Sequence, residues 1–343
     1  MDQADVRRFE RRAMGSPLRL TVVSLDGRPA DPAGAADPIE AAWSAVSDTF
    51  EAAEQAMSRF RDTSDLTAIN RVAGSGQALT VDGLLVRALV AAERAGRLTG
   101  GRFDARVLGD LERLGYEGAP MHPVRDGVPP SGNARPDLRL VGAADARVRG
   151  DGRWLDVDIR SSRVAVEVPV DLGGIGKGLA LRWAARAIDR TGAIGAGVGI
   201  LLEAGGDLVG RAPSPEGSDW SIAIEDPDQR DQPKAVIGLR TGAIATSSIS
   251  IHHWRDAEGR SVHHLIDPAT GEPGGRGLVA VTVAGSDPAW AEVWSKTLFL
   301  GGVDGIAALA RSRGLACWWI RDDGELEMTP AARVRTLWSA TDP

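Results

Sequence analysis

Residues 170–180 read V-D-L-G-G-I-G-K-G-L-A, four glycines set among a carboxylate, Asp171, and a cation, Lys177. Upstream, Val164, Val166, Val168 and Val170 alternate as in a half-buried strand; downstream, residues 179–191 (LALRWAARAIDRT) repeat apolar positions at i, i+3 and i+4 as in a helix. The segment is therefore a strand, a glycine loop and a helix start. Glycines let backbone approach a bound group closely, and the amides and dipole of a helix start favour an anion. With Lys177 adding a full charge, a phosphate is the first ligand class the loop suggests. A tight strand-to-helix turn that needs glycine only for packing is the alternative.

Two familiar phosphate loops are excluded. In the Walker A frame Asp171 falls where the first glycine belongs and Gly178 where the hydroxyl belongs. In the dinucleotide frame G-x-G-x-x-G, Gly174 and Gly176 fit, but Leu179 occupies the third glycine.

The other segments set the class. The 343 residues are 43% hydrophobic and 25% charged, the content of an ordinary globular protein. Net charge is -7 and the arginines are scattered, which argues against a nucleic-acid partner. No apolar run has the length of a secretion signal or membrane span, so the expectation is a cytoplasmic protein with no membrane insertion. The single cysteine, Cys317, excludes an intrachain disulfide and a thiolate-cluster metal site, and in its apolar run it reads as an inert buried strand residue.

Helical patterns are expected at residues 39–57, 81–98, 288–300 and 303–312. Strands are expected at 14–24, 154–159, 164–170, 199–204, 220–225, 235–239, 278–284 and near 316–321. Strands often follow one another without an intervening helix, which predicts an α+β fold with mixed, largely antiparallel sheets and packed helices. One domain is expected over 1–343, at most divided into two lobes with the site between them. The Pro-, Gly- and Asp-rich stretch 119–137 reads as a surface excursion.

Four of the five histidines form two pairs, His252-His253 and His263-His264. Adjacent strand residues face opposite ways, so only one of each pair can enter a given site, and a zinc centre would need a further ligand that no H-x-x-x-H helix or cysteine provides. The second pair opens H-H-L-I-D-P-A-T-G; Asp267 to Gly271 is a turn by composition, and His264 with Asp267 either merely borders it or faces a substrate. Thr246-Ser247-Ser248 ends an apolar strand, either gripping a phosphate or closing a local turn. Thr99-Gly100-Gly101-Arg102-Phe103-Asp104 follows a helix and is expected at least to cap it. There is no G-x-S-x-G elbow for a serine nucleophile.

In order along the chain stand Met14-Gly15-Ser16, Met57-Ser58-Arg59-Phe60 with Ser64-Asp65-Leu66 and Asn70, Gly100 to Asp104, Asp171 to Gly178, Ala204-Gly205-Gly206-Asp207, Trp220 with Glu225-Asp226-Pro227, Ala245-Thr246-Ser247, and His264 to Gly271. Each is weak alone; together they resemble the ApbE family, the FAD:protein FMN transferases, over nearly the whole chain. The resemblance implies an ApbE-like (T-fold-like) architecture and a transferase that moves FMN from FAD to a Thr or Ser hydroxyl of an acceptor protein, releasing AMP. It places Met14, Phe60, Arg102, Phe103 and Asp104 around the flavin nucleotide. Asp171 and Lys177 hold the adenosine or diphosphate part, with Thr246, His264, Asp267 and Thr270 beside the diphosphate. His264 becomes the base for the incoming hydroxyl, and Gly174, through its carbonyl, with Glu292 and Ser295 becomes the ligand set for Mg²⁺.

The chain departs from the pattern on the helix at 288–300. Members carry Asp-x-x-x-Thr, whose i and i+4 side chains share a helical face. Here Glu292 takes the Asp position and Lys296 the Thr position, and an ammonium has no lone pair for a metal. Lys296 then either supplies part of the metal's charge or forms an ordinary i,i+4 pair with Glu292. Glu203 is a second departure, placing a carboxylate before the Ala204-Gly-Gly-Asp turn. FAD pyrophosphatase activity and non-catalytic flavin binding are the alternatives to transfer.

Overall fold

The computed structural model describes residues 5–25, 37–116 and 154–340, except 194, 196, 215–218, 228, 230 and 231; the expected surface excursion at 119–137 lies outside them. The framework is one eight-stranded sheet in which every pairing is antiparallel. Across it run Asp5–Ala13, Ser16–Ser24, Val198–Ala204, Asp207–Arg211, Thr241–Ser248, Leu278–Gly285, Ala316–Arg321 and Leu326–Met328. Seven helices matter for the site: α1 (Pro38–Met57), α2 (Asp65–Arg71), α3 (Gly83–Leu98), α4 (Leu108–Arg113), α5 (Gly176–Arg190), α6 (Pro288–Phe299) and α7 (Gly302–Ser312). α1, α3 and α5 build a core with the first strands of the sheet, and α6 and α7 build a second with its later strands. A three-stranded sheet, which includes Trp220–Glu225 and Pro233–Leu239, covers the opposite face.

This layering explains why the central strands read as unbroken apolar runs. In Leu278–Gly285, Val281 and Val283 face α6 and α7 while Ala280 and Ala284 face the small sheet. In Ala316–Arg321, Cys317 and Trp319 point to the helices, Trp318 and Ile320 to the small sheet. A strand covered on both sides has no solvent face to fill with polar residues. Cys317 is fully buried, and burial pushes its thiol above the ordinary range.

The opening of the chain differs from the sequence expectation. Met14 is not inside a strand: it and Gly15 have φ of +49° and +72° and form the tight turn of a hairpin between Asp5–Ala13 and Ser16–Ser24. The first strand has no apolar alternation to betray it, because it lies at the sheet edge and reads DVRRFERRA. The strand expected at 164–170 stops at Val166, and the helix expected from 179 begins at Gly176, so Lys177 and Gly178 belong to the first turn of α5.

Candidate functional site

Long-range polar contacts fix the glycine loop before any ligand is considered. Asn70 of α2 brackets Val170, accepting from its amide at 2.9 Å and donating to its carbonyl at 2.8 Å. The Asp171 amide donates to the Ala105 carbonyl at 2.7 Å, and the Asp171 carboxylate accepts from the Gly173 amide at 2.7 Å and pairs with Arg59 at 2.8 Å. The loop then meets α6 more closely than any other residue type would permit. A side chain on Gly178 would begin 2.5 Å from Ala289 Cα and 2.6 Å from the Pro288 carbonyl oxygen, so glycine there sets the α5 to α6 distance.

That approach brings Glu292 of α6 onto the start of α5. Its Oε1 accepts from Lys177 Nζ at 2.9 Å and its Oε2 from the Gly178 amide at 2.8 Å. Lys177 also pairs with Asp207 at 2.8 Å, and the other oxygen of Asp207 accepts from the Thr246 amide at 3.1 Å. The anion that the helix start favours is therefore, in large part, a carboxylate of the protein. Although burial opposes its charge, Asp207 and Glu292 hold Lys177 above the ordinary lysine range.

One turn further along α6 stands Lys296, in different surroundings. A side chain on Gly174 would begin 2.6 Å from Lys296 Nζ and 2.9 Å from the Phe103 ring, which puts the ammonium directly against the loop. Among the described residues it has no ion-pair or hydrogen-bond partner, whereas Lys177 has two carboxylates. Burial pushes Lys296 below the ordinary lysine range; Lys177 adds to this, and Glu292, Asp171 and Asp207 oppose it.

These contacts test the expected magnesium set, and the residues do not fit. Both Glu292 oxygens are engaged, and Ser295 Oγ bonds Ser247 Oγ at 2.9 Å and the Glu292 carbonyl at 3.0 Å. Lys296 replaces the remaining ligand with a cation. A divalent ion about 4 Å from that ammonium would be repelled by on the order of 8 kcal/mol at an effective dielectric near 20. Among the described residues no three His, Cys, Asp or Glu side chains are grouped to hold a metal, which covers the zinc reading of the histidines too.

A second wall is aromatic. Tyr116 stacks on Trp254 with centroids 4.9 Å apart, and Phe60 meets Tyr116 edge-on at 6.5 Å. The Arg59 guanidinium covers both Phe60 and Tyr116, at 4.2 and 4.9 Å. Phe60 is 46% exposed, a large apolar surface left open on a wall suited to a planar ring system. His264 closes this wall, its ring 6.4 Å from Tyr116 and 4.9 Å from His252. His264 Nδ1 lies 3.4 Å from the His252 carbonyl. A carbonyl only accepts, so that contact puts the hydrogen on Nδ1 and leaves Nε2 as the basic nitrogen. Burial, then the charge of Lys296, then His252 push His264 well below the ordinary histidine range, so it is neutral near pH 7.

The other sequence candidates divide. Met14 lies against Gly176 at the start of α5, and Phe103 is buried beside Gly174. The Asp104 carboxylate is taken by the Arg106 amide at 2.8 Å and its guanidinium at 2.8 Å, a local cap. Thr246 Oγ1 bonds Thr282 at 2.9 Å. Asp267 and Thr270 line an open cavity of about 580 Å³ with Arg276 and the residues that join α6 to α7. Arg102 reaches that end of α6, near Gly301. Glu292, Lys296 and Leu300 repeat every four residues, so one face of α6 leads from the ion pairs to this cavity. Glu203 is half-buried and lies opposite Arg19 in the strand register, away from the glycine loop. Tyr116, Trp254 and His252 were not singled out for this wall from the sequence, because nothing local to them signals that they meet.

The architecture and cleft define an antiparallel α+β protein with a charged floor and an aromatic wall, suited to a ligand carrying both a planar ring and anionic groups. A model of the ApbE family matches residues 14–319. The chain belongs to the ApbE family. It is 28% identical to a FAD:protein FMN transferase of Klebsiella pneumoniae (strain 342), over 92% of this chain and 84% of that protein. It is 26% identical to one of Salmonella typhimurium, over 92% and 85%. Among solved structures, an ApbE protein of Thermotoga maritima superposes with TM-score 0.76 at 24% identity, covering 96% of this chain and 99% of that one. The apo flavinyl transferase ApbE of Pseudomonas stutzeri superposes with TM-score 0.73 at 25% identity, covering 98% of each. Among the described residues no helix is long and apolar enough to cross a membrane.

Proposed function

We propose that the protein is a FAD:protein FMN transferase, moving FMN from FAD to a Thr or Ser hydroxyl of an acceptor protein. The observation that carries the reading is His264: a neutral imidazole with Nε2 free, on an open aromatic wall and within the field of an unpaired ammonium. The wall offers Phe60 and Tyr116 to an isoalloxazine ring, and the floor offers Lys296 and the third donor of Lys177 to phosphate oxygens. Asp171 anchors Arg59, which shapes the wall.

The acceptor hydroxyl oxygen bonds to the FMN-side phosphorus, its proton passes to His264 Nε2, and the bond from that phosphorus to the bridging oxygen breaks, releasing AMP. The protein's work is to align the attack and balance charge on the phosphate oxygens. Because the metal set expected from the resemblance does not fit, no step is assigned to magnesium.

The test is mass spectrometry of an acceptor bearing a Thr or Ser flavinylation site, incubated with the protein and FAD. A gain of one FMN, with AMP released in equal amount, is expected. His264→Ala should abolish transfer and keep FAD binding; unaltered transfer would remove His264 as the base. FMN and AMP formed at the same rate without any acceptor would replace transfer with hydrolysis.

A further inference from the structure

We infer that Lys296 is the cation that receives the diphosphate of the bound dinucleotide, so that this site binds FAD without a divalent metal ion. The inference rests on the flavin-transferase reading and deepens it.

Three observations on one helix converge. Glu292, the residue at the position of a metal-ligating carboxylate, accepts from Lys177 Nζ and the Gly178 amide, so each oxygen already holds a donor and one of them a cation that a metal ion would have to sit beside. Ser295, one turn on, is fully enclosed between Ser247 and the Glu292 carbonyl. Lys296 places its ammonium against Gly174, the backbone whose carbonyl the resemblance assigns to the metal, and among the described residues no carboxylate pairs with it directly, Glu292, Asp171 and Asp207 acting on it only from a distance.

The alternative cation is Lys177, and its surroundings argue against it as the main phosphate anchor. It already faces two carboxylates, so the trio Lys177, Asp207 and Glu292 carries a net negative charge and repels a diphosphate. Lys296 cancels that excess, and among the described residues its own charge is the one no carboxylate pairs directly. Its four-carbon stem comes from a helix packed on both α5 and the sheet, so the charge is held in place before the ligand arrives. Lys177 is then a positioning residue, which fixes Glu292 over the start of α5 and thereby fixes the turn of α6 that carries Lys296. An ordinary surface pair between Glu292 and Lys296 is excluded, because the Glu292 carboxylate bonds α5 instead.

FAD binding to the whole protein, followed by flavin fluorescence in EDTA and in MgCl₂, tests this, with the metal content of the FAD complex measured by mass spectrometry. Equal affinity in the two buffers and no stoichiometric metal are expected. Lys296→Gln, neutral and close in volume, should weaken FAD by about 10- to 100-fold in either buffer, the worth of a charge-assisted hydrogen bond; Lys296→Met serves if the amide variant does not fold. Lys296→Arg should keep most of the affinity. Binding that needs MgCl₂, or affinity untouched by either neutral variant, overturns the inference and leaves the transferase reading standing. FAD that binds in neither buffer overturns both.

Discussion

The start of α5 and the middle of α6 meet at the same glycine loop, yet one is electrostatically closed and the other open. At α5, Lys177 meets two carboxylates and the Gly178 amide meets Glu292. At α6, Lys296 presses on Gly174 with no protein partner among the described residues, and beside the cleft His252 Nδ1 is buried without one. A folded protein satisfies its buried charges wherever structure alone is at stake. A cation left unpaired beside an open aromatic wall is set up for a ligand.

The contrast breaks most sharply at Lys177. Asp207 and Glu292 are only 3% and 5% exposed, so Lys177→Met strands two buried carboxylates. Urea unfolding should show a loss of about 3–5 kcal/mol, the cost of removing one member of a buried pair. A loss under about 1 kcal/mol would mean that the closed half is not held by these pairs. Gly178→Ala comes next, at about 1–3 kcal/mol, because its new carbon meets backbone atoms of Pro288 and Ala289 that no rotamer change can move. Lys296→Met should have the opposite sign, leaving the ligand-free protein unchanged or about 1 kcal/mol more stable, since it removes a half-buried charge that no carboxylate among the described residues pairs directly and that Glu292, Asp171 and Asp207 offset only from a distance. Destabilisation there would show that Lys296 belongs to the closed half.

How much of this was legible in the sequence follows from the range of each interaction. The central strands at 278–284 and 316–321 and the helices at 39–57 and 288–300 announced themselves through local pattern, as did the glycine loop. The first strand did not, because its exposed edge carries charges rather than alternation. The pairing of charges was out of reach. Arg59 and Asp171, or Lys177 and Glu292 at a separation of 115 residues, meet only because α1, α5 and α6 converge. Sequence showed that Lys296 breaks the metal motif, but not that Glu292 would turn to α5 and leave Lys296 alone. Likewise, Asp267 and Thr270 belong to the His264 turn, yet they line the cavity at the far end of α6.

The smallest effect is a proton equilibrium on the open side. Burial lowers His263 to about 4, and burial with Lys296 lowers His264 well below 6.5. The unfolded chain therefore binds more protons than the native one as pH falls below 6.5, so stability rises with pH across that interval and is lost on acidification toward 4. The closed half resists the same change, because protonating histidines leaves the Lys177 pairs intact. Lys296→Met then separates the contributions at His264. With the ammonium gone, burial still suppresses the imidazolium, but one repelling charge is removed, so the His264 titration followed by NMR should move up toward 6.5 while His263, which owes its shift to burial and to His253, stays near 4. A His264 midpoint that does not move would show that Lys296 lies too far from the imidazole to act on it, and the base and the cation would then belong to separate parts of the cleft.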